Sequence, residues 1–366
     1  MLQRLYVHNF RCLENFELTL KERPSTLLIG KNGSGKSTVG DALEVFQRIG
    51  RGINRIRDLV KPKDFARGRF DVPMRFEIEV LWEEKIYKYI LALELPENFK
   101  ELRIWEEQLL VGGEPIYSRE QAQVTLHTTS PSREAEFMVD WHLVALPIIQ
   151  SNTEPLRIFK TWLATILILA PIPTLITGAS QGETLDIQKD ASNFGEWISG
   201  LLSRYPAAYT QIDKYLRDVM PDIQEFLNEP IGKDAKNMMV RFEANNANFT
   251  VDFEDLSDGE KCFFICAVVL AANKYNPLFC FWDEPDNYLS LSEVGHFVMS
   301  LRRSFQGNSQ ILVTSHNPEA IRKFSSENTF VFARKSHLEP TLVRLLGDIP
   351  VTGDLINALI MGDIEL

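Results

Sequence analysis

The spacing of apolar and polar residues gives the chain three stretches of different character. Residues 2–7 mix the two classes in strand fashion, and 16–20 repeat the pattern. The short apolar run 25–29 feeds into a glycine-rich turn. Beyond it Val39, Ala42, Leu43 and Phe46 recur at helical spacing, so 38–49 reads as a helix. Alternation returns over 75–95 through Phe76, Ile78, Val80, Ile86, Tyr89, Leu91 and Leu93, with 83–85 as a hairpin turn. Segments 101–111 and 122–128 extend this antiparallel patch.

Between about 150 and 250 the pattern turns helical, with runs at 156–169, 194–204 and 208–220 separated by Pro and Gly. No heptad persists over three or four repeats, so no long coiled coil is encoded. From 251 onward strands and helices alternate. The runs 278–282 and 310–314 read as strands of the kind buried on both faces, with 291–305 helical between them. Segments 329–333 and 341–346 form a closing hairpin in this reading.

Composition changes that picture little. The 366 residues, 45% apolar and 24% charged, are ordinary for a soluble globular protein with room for a large core. A formal charge of −11 argues against a general polyanion binder but leaves room for a local basic patch. The four cysteines lie in apolar surroundings. Cys262 and Cys266 stand one helical turn apart, yet buried free thiols are the simpler expectation, in keeping with a reducing cytosol. The first residues carry no signal-peptide pattern. The most apolar stretch, 162–176, is too short to span a bilayer and contains Pro171 and Pro173, so it reads as a buried helix followed by a turn. A cytoplasmic protein without membrane contact is expected.

Four motifs carry chemistry. Gly30, Lys31, Asn32, Gly33, Ser34, Gly35, Lys36, Ser37 and Thr38 fit G-x-x-x-x-G-K-[ST] between a strand and a helix. Glycines let successive backbone N–H groups face phosphates, and the helix N-terminus adds positive potential. Lys36 would reach the β and γ phosphates of ATP, and Ser37 would offer a hydroxyl to Mg²⁺. The second motif is an apolar strand ending in Asp283 and Glu284, a metal-shell carboxylate followed by one able to polarise attacking water. The third is Ser257, Asp258, Gly259 and Glu260 opening an apolar helix; its spacing is that of a capping box, and its free amides suit a γ-phosphate. The fourth is His316, directly after the strand 311–314, as a γ-phosphate contact.

These four elements, in this order, resemble the ABC-type ATPase head, and the SMC/RecF/OLD branch more than transporter subunits. Asn9-Phe10-Arg11 after the first strand is similar to that branch's opening and implies a nucleotide contact for Arg11. The signature reads LSDGE where the family has LSGGQ or LSGGE, with Asp258 in the third place. Asp283-Glu284-Pro285-Asp286 resembles the family's DEP(D/E) run, which makes 286–289 the loop facing a dimer partner. Gln150, where the strand-rich part gives way to helices, is the best match to the branch's metal-contacting Gln. The resemblance implies an α/β P-loop NTPase of ABC-ATPase type, a mixed sheet with an antiparallel β lobe plus a helical lobe. On that basis 1–149 is the N-terminal part of the ATPase core, 150–276 the helical lobe ending in the signature helix, and 277–366 the C-terminal part of the core.

It further implies an ATPase that forms a homodimer, each ATP held by one copy's 30–38 loop and the other's Ser257–Gly259. Its output would be DNA binding and repair, or control of an effector in anti-phage defence. About 220 residues separate Lys36 from Ser257, too few for an SMC coil and more than a transporter subunit needs. The chain after His316 shows no acidic cluster of nuclease type, so a nuclease would be a separate effector protein. Segment 48–69 holds Arg48, Arg51, Arg55, Arg57, Lys61, Lys63, Arg67 and Arg69 against Asp58 and Asp64, a candidate DNA contact or a dock for an acidic partner. A transporter energy subunit and a scaffold that binds ATP without turnover are the alternatives.

Overall fold

Alternation in the first part of the chain builds one long antiparallel sheet, and the apolar runs of the last part build parallel strands. The computed structural model describes residues 1–127, 135–150, 153–245 and 247–349. They form two compact units, one of Met1–Ile166 with the chain from Ser326, the other Leu167–Ser325.

The first unit opens with β1 (Leu2–His8), β2 (Phe16–Thr19), β3 (Ser25–Gly30), α1 (Lys36–Gly50) and the single turn α2 (Ile56–Leu59). There follow β4 (Met74–Trp82), β5 (Lys85–Glu94), β6 (Arg103–Val111), β7 (Glu114–Glu120), β8 (Gln123–Leu126) and β9 (Ala135–Met138). The short α3 (Ala145–Ile148) and α4 (Glu154–Ala164) complete this run. The sheet order is β2-β1-β4-β5-β6-β7-β8-β9, with antiparallel pairing such as Leu5 opposite Ile78. The period-2 pattern explains its two faces. Inward, Phe76 and Tyr89 meet Phe46 of α1 edge-on, and Tyr87 stacks on Phe159 of α4. Outward, Arg4 bridges Glu17, Glu77 and Glu79, and Arg75 bridges Glu77 and Glu106, so opposite charges stand across neighbouring strands. The 83–85 turn is where alternation places it. Glu83 and Glu84 both take positive φ, 45° and 66°, as a two-residue hairpin turn requires even without glycine.

A buried ion pair lies inside this sheet. Glu107 of β6 is fully buried and accepts hydrogen bonds from the hydroxyls of Tyr89 (3.0 Å) and Tyr117 (2.8 Å). It also accepts from the backbone N–H of Ala145 and Leu146, pinning α3 to the sheet, and pairs with buried Arg119 at 3.5 Å. Burial and the Glu107 charge hold both tyrosine hydroxyls neutral, with pKa values well above the usual.

The second unit contains β10 (Leu167–Leu169), α5 (Phe194–Arg204), α6 (Ala208–Val219), β11 (Ile223–Ile231), β12 (Ala235–Ala244), β13 (Ala247–Asp252) and α7 (Asp258–Tyr275). It ends with β14 (Phe279–Trp282), α8 (Leu291–Ser304), β15 (Gln310–Thr314) and the short α9 (Pro318–Arg322). β10, β14 and β15 are parallel in that order, and every residue of each is buried. Such strands lack alternation because both faces are covered. β11, β12 and β13 form a separate antiparallel sheet. α7 has no polar side through Cys262–Val269, and Phe264 packs edge-on against Phe226 of β11 and against Phe253. A helix apolar all round is a core helix. The chain then returns to the first unit, where β16 (Thr329–Ala333) lies parallel to β3 and β17 (Leu342–Leu345) antiparallel to β16, the expected hairpin.

Two readings of the helical stretch are corrected. The run 156–169 is not one helix. α4 stops at Ala164, where the Thr165 hydroxyl turns back onto the Trp162 carbonyl. The following Leu167–Leu169 becomes β10 rather than a buried helix leading to a turn. After α6 the chain is sheet, not helix, in β11, β12 and β13. The inward positions of β11 are irregular, with a register shift between Ile223 and Glu225 and Pro230 near the end, which hid the period of two. The four cysteines are buried free thiols, and burial pushes Cys262 up to about 12.

Candidate functional site

β3 ends at Gly30, and the loop that follows opens α1 at Lys36. Gly30 has φ 149°, and a β-carbon there would stand 2.2 Å from the Phe332 carbonyl oxygen on β16. Gly35 has φ 102°, and its β-carbon would stand 2.5 Å from Thr341 Oγ1 and 3.0 Å from Cys12 Sγ. Those same two residues strap the loop down. Thr341 Oγ1 donates to the Ser34 carbonyl at 2.8 Å, Thr341 N–H donates to the Cys12 carbonyl at 2.9 Å, and Cys12 Sγ lies 3.5 Å from Thr38 Oγ1.

This cradle fits a phosphate chain. α1 has no capping side chain and no acidic residue in its first turn, so its leading N–H groups and its dipole are left for an anion. Ser34 Oγ is buried without a hydrogen-bond partner. Lys36 is buried, and its Nζ donates to the carbonyls of Gly30 (2.8 Å) and Lys31 (3.3 Å) across the loop. Lys31, Asn32, Gly33 and Ser37 are exposed, so the Ser37 hydroxyl is accessible to a hard cation.

Arg11 sits beside this loop at φ 52°, with its guanidinium joined to Asp41 of α1 and, at 3.0 Å, to Asp64. Its charge is thus held between two carboxylates at the flank of the helix. Gln150 is exposed in the segment after α3. In the basic segment, Arg67 and Arg69 both pair with Glu14, and Arg57 lies 4.0 Å from Glu101. Arg55, Lys61 and Lys63 are exposed, and among the described residues none has an acidic partner.

The second unit gathers the other three motifs. Directly after β14 comes Asp283, whose N–H donates to the Leu169 carbonyl of β10 at 2.7 Å. Thr314, the last residue of β15, is the link between the two carboxylate residues. Its hydroxyl donates to Asp283 Oδ1 at 2.6 Å and accepts from the Glu284 N–H at 2.8 Å. Glu284 takes φ 48°, a conformation that costs a residue with a β-carbon on the order of 1 kcal/mol. Its carboxylate is held on both sides, by His316 Nε2 at 3.1 Å and by the Asn287 side-chain amide. His316, expected as a phosphate contact, is here the partner of Glu284. Asp286 is buried, with the Ser315 hydroxyl donating to its Oδ2 at 2.6 Å, while Asn287 and Tyr288 are exposed.

Ser257 caps α7, accepting from the Glu260 N–H at 3.3 Å while its own N–H donates to Glu260 Oε2 at 2.7 Å. Ser257 and Asp258 are exposed, and a β-carbon on Gly259 would stand 3.0 Å from the Tyr288 carbonyl oxygen. The 257–260 turn thus packs on the loop after Asp283-Glu284. Sequence reasoning missed Thr314, Cys12 and Thr341. A hydroxyl ending an apolar strand was a usable signal for Thr314; nothing local marks Thr341, which lies some 300 residues from the loop it holds.

A glycine loop that opens a helix and, separately, a buried parallel strand followed by Asp-Glu are the elements of a P-loop fold. The chain belongs to the family described as "AAA domain, putative AbiEii toxin, Type IV TA system", whose model matches residues 25–322. A model of the P-loop-containing region of AAA domains matches residues 2–46. An OLD nuclease of Thermus scotoductus is 40% identical over 80 residues, 22% of this chain and 14% of that relative's length. The fold is that of SMC heads. An SMC head bound to the C-terminal winged-helix domain of ScpA aligns with TM-score 0.56 at 15% identity, covering 94% of this chain and 98% of that one. A Pyrococcus furiosus SMC head with an extended coiled coil, bound to the C-terminal domain of ScpA, aligns with TM-score 0.53 at 14% identity, covering 94% and 96%. Among the described residues no helix is long and apolar enough to cross a membrane.

Proposed function

We propose that this chain is an ATP-hydrolysing switch that pairs with a second copy around ATP and hands the outcome to a separate effector or to DNA. The loop amides and Lys36 hold the phosphates. Ser37 and Asp283, with Gln150 as a further candidate, supply oxygen ligands of the kind Mg²⁺ takes, and the ion would neutralise phosphate charge. Glu284 accepts a proton from the attacking water. His316 steadies that carboxylate and contacts the γ-phosphate. Ser257, Asp258, Gly259 and Glu260 complete the site of the second copy.

The observation that carries the reading is the state of Glu284. It is held at φ 48° by the Thr314 hydroxyl, with both carboxylate oxygens engaged, by His316 and Asn287. Strain of that kind persists where surrounding structure over-determines it, and a water-directing carboxylate needs such fixing. Glu284→Gln should leave ATP binding intact, reduce phosphate release by roughly 10²-fold or more, and accumulate an ATP-bound dimer. Hydrolysis at the parent rate would assign the water-directing role elsewhere. Absence of phosphate release from the unaltered protein would favour the non-hydrolysing scaffold.

The family description and the similarity to an OLD nuclease support an output in phage defence, and the SMC head bound to ScpA supports a protein partner. DNA contact through 48–69 is the alternative output, supported by exposed Arg55, Lys61 and Lys63. The long antiparallel sheet and the Asn9-Phe10-Arg11 opening speak against a transporter subunit.

A further inference from the structure

Two features of opposite charge stand beside the two motifs that the proposed ATP sandwich brings together. The first is the strip 61–69 beside the phosphate loop. Asp64 turns inward to Arg11, and Arg11 is tied in turn to Asp41 of α1. Arg67 donates to the Leu338 carbonyl, in the same β16–β17 connection whose Thr341 straps Ser34. The strip therefore runs along the flank of the 30–38 loop, with Lys61 and Lys63 pointing their unpaired charge to solvent.

The second is an open groove of about 480 Å³ beside Ser257, running along β12 and β13. Phe242, Phe249 and Leu256 line it, together with the carboxylates of Asp222, Glu243 and Asp255, and no basic residue does. Glu260, the capping partner of Ser257, also lines it. β13 is the edge of its sheet, and Phe249 on it is 67% exposed. An exposed edge strand carrying a large aromatic is unusual on a free surface unless something covers it.

We propose that this acidic groove receives the basic strip 61–69 of a second copy of the chain. The inference rests on the proposed ATP sandwich, in which one copy's Ser257 turn meets the other's 30–38 loop. Bringing those motifs together brings the flanking groove and strip together, and two-fold symmetry makes the contact twice. Charges of this kind at an interface rim steer encounter and fix register more than they add bulk affinity, so the contact should be salt-sensitive.

The test is a charge swap in the full chain carrying Glu284→Gln, with ATP-dependent dimerisation followed by sedimentation at low salt. Lys61→Glu with Lys63→Glu should weaken the dimer roughly tenfold, as should Asp222→Lys with Glu243→Lys. All four together should recover most of the loss, and thermal melts of each monomer control for folding. Unchanged dimerisation in either pair, or loss without recovery in the fourfold variant, overturns the proposal. Loss of DNA retention by the lysine variant with dimerisation intact also overturns it and assigns the strip to nucleic acid. Failure of the Glu284→Gln parent to dimerise with ATP overturns the sandwich itself and the groove contact with it.

Discussion

The phosphate loop and the Asp283–Glu284 corner are held in place by opposite means. The loop is fixed by closeness. Backbone from β16 and side chains from Cys12 and Thr341 press so near Gly30 and Gly35 that no β-carbon fits. The corner is fixed by reach, with one threonine hydroxyl and two further side chains, His316 and Asn287, holding two carboxylates. A phosphate cradle is built from main-chain N–H groups, so the protein must strip side chains away from it. A carboxylate with the water-directing role proposed for Glu284 has to be aimed, and aiming needs partners. The loop should therefore break when atoms are added, and the corner when they are removed.

The largest effect is expected from addition. Gly30→Ala places a methyl group 2.2 Å from the Phe332 carbonyl at a φ of 149°, so β3 and β16 must separate or the loop must twist. A loss of about 3 kcal/mol in urea unfolding is expected, together with loss of ATP binding. A variant as stable as the parent would show that the loop tolerates added atoms and that closeness is not what fixes it.

Removal should cost less. Thr314→Val keeps the shape of the β15 terminus but deletes the hydroxyl shared by Asp283 Oδ1 and the Glu284 N–H. Two polar groups lose a partner, worth about 2 kcal/mol in unfolding free energy. Phosphate release should fall further than ATP binding, and Thr314→Ser should restore both. If Val and Ser variants hydrolyse alike, the hydroxyl does not aim Glu284, and the contrast between the two regions fails on this side.

The same contrast explains what the sequence made legible. The loop is contiguous, its glycines and lysine are its chemistry, and 30–38 could be read directly along with the strand and helix around it. The Asp-Glu strand, the capping box and His316 were legible as pieces for a similar reason. Their mutual bonding was not, because Thr314 acts through a hydroxyl thirty residues from the groups it holds. The long sheet was legible where one face meets water, as in β4 and β5. It was silent at β11, where a register shift breaks the period, and misleading at β10, whose apolar run follows that of α4 with only Thr165 between them. Arg11 illustrates a further limit: its motif implied a nucleotide contact, and pairing with Asp41 and Asp64 depends on a loop the motif does not contain.

The smallest effect tests whether every polar contact at the corner serves to aim. Asp286 lies beside Glu284 but is turned into the protein, with one oxygen bonded to Ser315 and the other, Oδ1, buried without a partner. Burial raises its pKa above the ordinary aspartate range, and the neighbouring Glu284 adds to the rise against the pull of the Ser315 bond. The folded state therefore holds this proton more tightly than the unfolded chain. Its contribution to stability is fully present below the unfolded value of about 4 and is lost as pH rises through the folded-state pKa. Asp286→Asn keeps an acceptor for Ser315 and removes the buried charge. It should make the protein more stable at neutral pH, by less than Thr314→Val weakens it, and should flatten the urea midpoint between pH 4 and neutrality. A destabilised Asn variant would mean that the Asp286 charge is itself needed at the corner, and that aiming there involves three carboxylates rather than two.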